Sequence, residues 1–529
     1  MAVVSAAFGM TDELIKIVRT AEQGDLEGAV KLLGVTCDKV LSIAKGCGVS
    51  EGSLEQISKN LEQDKSDLSA VLCAIRIMKS VPDTAMELVT GMGEVWSAQT
   101  MCAYLQKKGF PAVWMDCRTT LYVEDGGTHG LGEKGASNML VRPMMGKTAE
   151  AMRKWWLDVA LEKGWVEVEF VEGKEGPPNV NFVAAAEKVE PMVIVTGFVA
   201  TTPSGVPTTL KRSGSDFTAT IVANLCSAGK ITMWKNVDGI YTADPRKVPD
   251  AFPIKSLMYE EAMELAYFGA SVLHPSAMAP CIEARVPVHV RNVFNTAHPG
   301  TVIEGSVHDV RGGSTDSSEN LDPKDYKRSQ MFGQGSFGAR IPRPSMSFGE
   351  EVAMGSFAEE LDKDKLPVKG ITCVENVSLV NLEDASLIGV PGVLSRMFGA
   401  LAAKNISVLM ITQASSEHST CCAVADCDAH AARDAVREAF ALELHNHQVS
   451  RVQVIKHLSA VAAVGEGMAM TLGVPGKMFT ALASAGIAIR AIAQGSSTRN
   501  ITAVVDRSQL CKAMRAIHSA FTLSAVPIS

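Results

Sequence analysis

Residues 193–250 read VIVTGFVATTPSGVPTTLKRSGSDFTATIVANLCSAGKITMWKNVDGIYTADPRKVPD. The stretch opens with Val193–Thr196, an apolar, β-branched run of the length of a buried strand. A loop of Gly, Pro, Ser and Thr follows and closes with Thr208-Thr209-Leu210-Lys211-Arg212-Ser213-Gly214-Ser215-Asp216. Then come an apolar-periodic helix from Phe217 to about Ala228, a second strand at Ile231–Trp234 and a polar loop over Lys235–Lys247. Ser215 and Asp216 stand where an N-cap stands, so Gly214 and the helix N-terminus offer free N–H groups and a positive dipole to an anion. Arg212 adds a cation suited to a two-pronged grip on carboxylate or phosphate. A capped helix after an ordinary surface loop is the competing reading. The coincidence of an Arg, two glycines, a Thr pair and a second polar loop outweighs it.

Length and composition set the frame. The chain of 529 residues, 47% hydrophobic, is long enough for two to four domains with large cores. Its formal charge of −8 provides no electrostatic footprint for nucleic acid. No apolar run reaches membrane-span length, and no basic segment precedes an apolar core at the N-terminus. The 12 Cys are scattered without CxxC or Cys/His spacing, which fits reduced thiols in a cytoplasmic or plastid-stroma setting and no side-chain metal site.

The two loops, TTLKRSGSDFTA and WKNVDGIYTADPRKV, closely resemble the signature loops of aspartate kinases. The Leu-Lys-Arg-x-Gly-Ser-Asp-Phe form looks most like the bifunctional aspartokinase–homoserine dehydrogenases. The resemblance implies an α/β fold: an amino-acid-kinase (carbamate-kinase-like) doubly wound sheet, followed by regulatory domains. Ala2–Ala6, read as a strand, and Gly9–Thr11, read as the loop into a helix at Asp12–Arg19, resemble the family's V-V-S-A-x-x-x-x-T element, which makes Ser5 and Thr11 nucleotide-lining residues. Glu87–Ser97 resembles the G-E-x-x-S element, in which the Glu touches the substrate amino group; Glu94 and Ser97 lie one helical turn apart. Phe268–Pro275 resembles F-G-A-x-V-L-H-P, with Ser271 where some members carry a Lys. Asn236 stands where many relatives have Asp. The family also begins with a strand bearing Lys-Phe-Gly-Gly, and no such segment precedes Met1, so the expectation is a truncated chain or one that has lost its chemistry.

Further strands are expected at Ala112–Asp116, Val166–Phe170 and Pro287–Asn292, with helices near Lys147–Lys163 and over Tyr259–Phe268 and a polar loop at Val171–Asn181. Ser306–Asp364 is rich in Gly, Ser, Pro and charge and reads as a flexible insertion. Its Gly333–Gly338 run fits G-x-G-x-x-G formally but lacks the strand and helix that dinucleotide binding needs.

From Leu366 the chain repeats itself. Gly389-Val390-Pro391-Gly392 returns as Gly473-Val474-Pro475-Gly476, and the spacing from Phe398 to Gln413 equals that from Phe479 to Gln494. Each unit reads as a βαββαβ pattern. The pair resembles ACT domains, amino-acid-binding regulatory modules. That resemblance implies effector contacts at Gly389, Val390, Gly392 and Gln413 and at Gly473, Val474, Gly476 and Gln494. The expected domains are a kinase domain at 1–305, a linker at 306–365 and ACT domains at 366–445 and 446–529.

The implied activity is ATP- and Mg²⁺-dependent phosphorylation of L-aspartate. Arg212, Ser215 and Asp216 are the expected catalytic residues, and Glu94, Ser97 and Arg212 bind aspartate. Lys235, Asn236, Tyr241, Arg246 and Ser271 line the nucleotide pocket together with Ser5 and Thr11. The effector is expected to be threonine ahead of lysine, and the assembly a homodimer or homotetramer. No dehydrogenase function is assigned. The rival expectation is an amino-acid-binding regulatory protein with an impaired kinase domain; a uridylate or glutamate kinase is disfavoured by the ACT pair and the D-G-I-Y-T-A-D-P-R loop.

Overall fold

The computed structural model describes residues 1–124, 141–171, 179–184, 190–269, 273–305, 366–383, 392–413, 419–446, 451–469, 471–495 and 499–521. It begins with β1 (Ala2–Val4) and four helices, α1 (Met10–Glu22), α2 (Leu26–Gly46), α3 (Glu51–Met78) and α4 (Asp83–Lys107). Next come β2 (Ala112–Met115), α5 (Cys117–Thr120), α6 (Met145–Glu162) and the antiparallel hairpin β3 (Val166–Val171) and β4 (Asn179–Ala184). The stretch read first contains β5 (Met192–Thr196), β6 (Val199–Thr201), β7 (Pro207–Thr209), α7 (Gly214–Leu225) and β8 (Ile231–Lys235). The half closes with β9 (Ser256–Leu257), α8 (Tyr259–Tyr267), α9 (Pro275–Ala284), β10 (Val288–Asn292) and β11 (Thr301–Ile303).

The helices follow from spacing and caps. Leu14, Ile17, Val18 and Ala21 fall on one face of α1 and are buried against α2, α3 and α4. Asp25 caps α2 by accepting from Gly28 N–H, and Ser50 caps α3 by accepting from Ser53 N–H. β5 is the middle strand of an all-parallel sheet, order β1-β5-β2. Val193–Thr196 are all buried, as a strand covered on both faces requires. A second sheet has the order β8-β10-β11-β9, with β8 and β10 parallel. Among the described residues β1 and β8 each have one hydrogen-bonded neighbour strand, and both pack on α7.

The C-terminal segment contains β12 (Gly370–Glu383), α10 (Val393–Ala403), β13 (Met410–Gln413), β14 (Ser419–Ala425), α11 (Ala429–Ala439), α12 (Ala441–His445) and β15 (Arg451–Val464). It continues with α13 (Val474–Ser484), β16 (Ile489–Gln494), β17 (Asn500–Asp506) and α14 (Leu510–Ala520). All six strands form one antiparallel sheet, order β13-β14-β12-β15-β17-β16.

Several elements differ from the sequence reading. α7 starts at Gly214, so Ser215 and Asp216 lie in its first turn and Ser213 is the N-cap, in the left-handed region at φ 54°. The reason is tertiary: Gly214 packs so closely on Phe198 that an added Cβ would stand 2.5 Å from its ring. α1 likewise starts at Met10 behind a left-handed Gly9, which places Thr11 inside the helix. The loop expected over Val171–Asn181 gives way to a strand, β4, from Asn179. The second regulatory unit does not bring all its own strands. β12 and β15 are 14 residues each and serve both units. Leu379–Glu383 pairs with Arg451–Ile455 in the first unit, and Gly370–Val374 pairs with Ala460–Val464 in the second. Asn376 and His457, both at positive φ, sit at the register shift between the halves. Residues 306–365, the Gly333–Gly338 run, Ser271, Gly389 and Val390 lie outside the described residues.

Candidate active site

Parallel strands deliver their C-terminal ends, and the loops after them, to one edge of the sheet, where ligands of open α/β sheets bind. Here β1 and β5 end together: Gly197 N–H donates to Val4 O at 3.0 Å. Gly197 faces the first turn of α7 so closely that a Cβ on it would lie 2.8 Å from both Cβ and Oγ of Ser215. Phe198 N–H donates to Thr218 Oγ1 at 3.0 Å, and Leu210 N–H to Phe198 O at 2.7 Å. These bonds seat the start of α7, with its unpaired N–H groups, against the end of β5.

α4 brings the carboxylates. Glu94 is only 5% exposed, and its Oε2 has no hydrogen-bond partner among the described residues. Burial pushes its pKa up to about 7, against the opposing pull of its own N–H and of the Ala6 N–H. One turn on, Ser97 Oγ accepts the Ala7 N–H at 3.0 Å, so both residues hold the loop after β1. Ser97 and Ser5 line a mainly apolar cavity of about 320 Å³ with Met10, Val40, Trp96 and Tyr104. Thr11 is half-buried in the first turn of α1.

On the other side of α7, Lys235 at the end of β8 places its ammonium 2.7 Å from both oxygens of Asp216. Arg212 is exposed and lowers the pKa of His274, an effect second to that imidazole's own burial. Along the loop after β8, Asn236 is exposed and Tyr241 half-buried. The Tyr241 phenol is pushed up by burial and by Asp238, whose Oδ1 accepts from Asn292 at 2.8 Å and Asn295 at 3.1 Å. Arg246 is exposed and forks onto Asp244, donating from Nε at 3.0 Å and from Nη2 at 2.9 Å.

The structure therefore brings Ser215, Asp216 and Lys235 together, and separately Glu94, Ser97 and Ser5; Arg246 is engaged with Asp244. In the regulatory sheet Gly392 and Gly473 are left-handed N-caps of α10 and α13. Val474 and Gly476 lie in the first turn of α13, and Gln413 and Gln494 are the exposed last residues of the edge strands β13 and β16. Among the described residues no group of three or more His, Cys, Asp or Glu side chains is placed to hold a metal.

Sequence reasoning missed the role of Glu87. It lies seven residues, two helical turns, before Glu94 on the same face of α4, and that spacing was the available signal. Its Oε2 accepts from Thr208 Oγ1 at 2.6 Å and Thr209 N–H at 3.1 Å, and its Oε1 is paired with Lys211.

The Amino acid kinase family model matches residues 1–292, and an ACT domain model matches residues 380–440 and 461–521. The chain is 34% identical over 524 residues to the chloroplastic bifunctional aspartokinase/homoserine dehydrogenase 1 of Arabidopsis thaliana, covering 99% of this chain and 48% of that protein. It thus spans about half the length of the curated relatives it matches first. Among solved structures it is similar to E. coli aspartokinase III in complex with aspartate and ADP, at TM-score 0.67 and 22% identity, covering 98% of this chain and 92% of that one. The same enzyme in complex with lysine and aspartate matches at TM-score 0.60 and 22% identity, with the same coverage. The chain belongs to the amino acid kinase family as an aspartokinase-like protein with ACT domains behind its kinase domain.

Proposed function

We propose that this chain transfers the γ-phosphoryl group of ATP to the β-carboxylate of L-aspartate, giving 4-phospho-L-aspartate and ADP. Glu94 carries the reading: a buried carboxylate with an unpaired oxygen calls for a cation, and the ammonium of an amino acid provides one. Arg212 takes the substrate carboxylate. The free N–H groups at the start of α7 suit a phosphate, with Gly214 leaving no side chain in the way. Asp216 orients Lys235, and Ser215 faces the same turn. Lys235, Asn236, Tyr241 and Arg246 line the nucleotide side, and Ser5 and Thr11 the far side. MgATP would supply the phosphoryl group as co-substrate; the residues contribute position and charge.

The ACT pair binds an end-product amino acid through the helix caps at Gly392 and Gly473 and through Gln413 and Gln494. Threonine is the first expectation, from the bifunctional character of the loops; the lysine complex of aspartokinase III supports lysine as the second. Assembly is as a homodimer or homotetramer through these domains. The chloroplastic relative supports the plastid stroma over the cytoplasm. No helix among the described residues is long and apolar enough to cross a membrane.

The test is MgATP-dependent aspartyl phosphate formation, trapped as hydroxamate, with and without threonine or lysine. Turnover suppressed by one of them supports the reading and names the effector. A second reading is a regulatory, amino-acid-binding chain with impaired phosphoryl transfer. It is favoured by Lys235, whose charge both Asp216 oxygens already neutralise. Absence of turnover with calorimetric binding of threonine or lysine intact would select it.

A further inference from the structure

We propose that Glu87 is the positioning residue of the aspartate-binding loop, acting with Lys211 as a clamp that sets the direction of Arg212. The proposal rests on the aspartate kinase reading above. Three donors converge on one carboxylate that is 12% exposed: the Thr208 hydroxyl, the Thr209 N–H and the Lys211 ammonium. All three lie within four residues of Arg212, Thr208 and Thr209 at the end of β7 and Lys211 just beyond it.

The backbone there needs such a hold. Lys211 and Ser213, on either side of Arg212, both adopt left-handed conformations, at φ 59° and 54°. Neither is a glycine, so each is sterically disfavoured and persists only where its surroundings over-determine it. Downstream, Asp216 is tied to Lys235. Upstream, Leu210 N–H bonds to Phe198 O, and Glu87 supplies the charged anchor. Arg212 itself is exposed and has no ion-pair partner among the described residues. Its aim is therefore set by the backbone that carries it. Because Glu87 and Glu94 share one rigid helix, the clamp also ties the carboxylate grip to the ammonium grip.

A clamp of this kind predicts selectivity in its loss. Glu87→Gln keeps the side-chain shape and removes the ion pair. It should raise the KM for aspartate about tenfold, the equivalent of one lost hydrogen bond to a charged group, and leave the KM for ATP within about twofold. Lys211→Gln should do the same, and the double variant should be no worse than either single one, because both remove one coupled interaction. Additive losses, or equal losses for aspartate and ATP, would overturn the proposal as general destabilisation. Limited trypsin digestion of the substrate-free full chain, mapped by mass spectrometry, supplies a readout independent of turnover. Cleavage after Arg212 should quicken in Glu87→Gln; cleavage at the wild-type rate overturns the clamp whatever the kinetics show. A wild-type chain that does not phosphorylate aspartate would refute the functional reading instead, and the digestion would still decide the clamp.

Discussion

The hydroxyl of Thr242 and Nε2 of His518 lie 2.9 Å apart in a fully buried contact, joining residues 276 positions apart in the chain. Thr242 follows Tyr241 in the loop after β8, and His518 lies on α14, the last regulatory helix. Thr242 O also accepts the Ile371 N–H of β12 at 2.7 Å. Nearby, Arg515 Nε donates to Lys247 O at 2.8 Å, and Lys247 pairs with Glu375 at 2.5 Å. The proposed nucleotide loop is thus held on one side by the regulatory sheet and its last helix.

His518 should make this junction sensitive to acid. Burial lowers its pKa from the ordinary value, with Asp250 opposing, so the folded chain keeps the ring neutral while the unfolded chain protonates near 6.5. Its stabilising contribution is then fully present above that value and is lost as pH falls from there through the lower folded value. Wild-type Tm should drop more steeply from pH 7.5 to 5.5 than that of His518→Gln, read by calorimetry. Parallel slopes would remove His518 as the sensitive group.

Glu94 should titrate in the opposite sense. Its raised pKa of about 7 means that the folded chain keeps a proton the unfolded chain releases from about 4.5. Stability therefore declines as pH rises between those values and is level above them, by a total on the order of 3 kcal/mol. Glu94→Gln should abolish the decline and be the more stable protein at pH 8. An ammonium needs the ionised carboxylate, so the aspartate KM of the wild type should fall from pH 6 to pH 8. In Glu94→Gln it should be higher, roughly 100-fold, and lack this dependence. Steady-state hydroxamate assays across that range check both.

The same carboxylate shows where the sequence was readable. Glu94 could be singled out from its surroundings in the chain, but its burial could not, because Val89–Trp96 are buried all around α4 rather than on one face. The strand, loop and helix around Arg212 were legible because β-branched, Gly/Pro/Thr and helix-periodic segments succeed one another without ambiguity. The start of α7 was not, since Phe198 decides it across a gap of sixteen residues. The repeat announced two regulatory units, yet local pattern cannot tell which strand closes the second. That partner is the first half of β12, some ninety positions before the strand it joins.

Gly197→Ala should break the site without touching a charged group. Its Cβ would stand 2.8 Å from Ser215 Cβ and 2.9 Å from Val4 O, and backbone cannot yield as a flexible side chain can. We expect a loss of about 1–3 kcal/mol in stability and of at least about 100-fold in turnover, as α7 shifts away from β5. Thermal melts beside the hydroxamate assay would show it; a variant with wild-type turnover would mean that the approach of α7 to β5 is not required.

The Asp216–Lys235 pair separates the two functional readings. If Asp216 orients Lys235 toward a transferring phosphoryl group, Asp216→Asn should lower kcat by about 10²–10³ and change the KM for aspartate little. Lys235→Met should chiefly weaken nucleotide, raising the KM for ATP. Arg212→Ala should abolish aspartate phosphorylation, with calorimetric binding of threonine or lysine to the regulatory domains preserved. Should all three variants match a weak wild-type background, Lys235 would be neutralised for structural reasons alone. Amino-acid binding at the regulatory sheet would then be the activity to pursue.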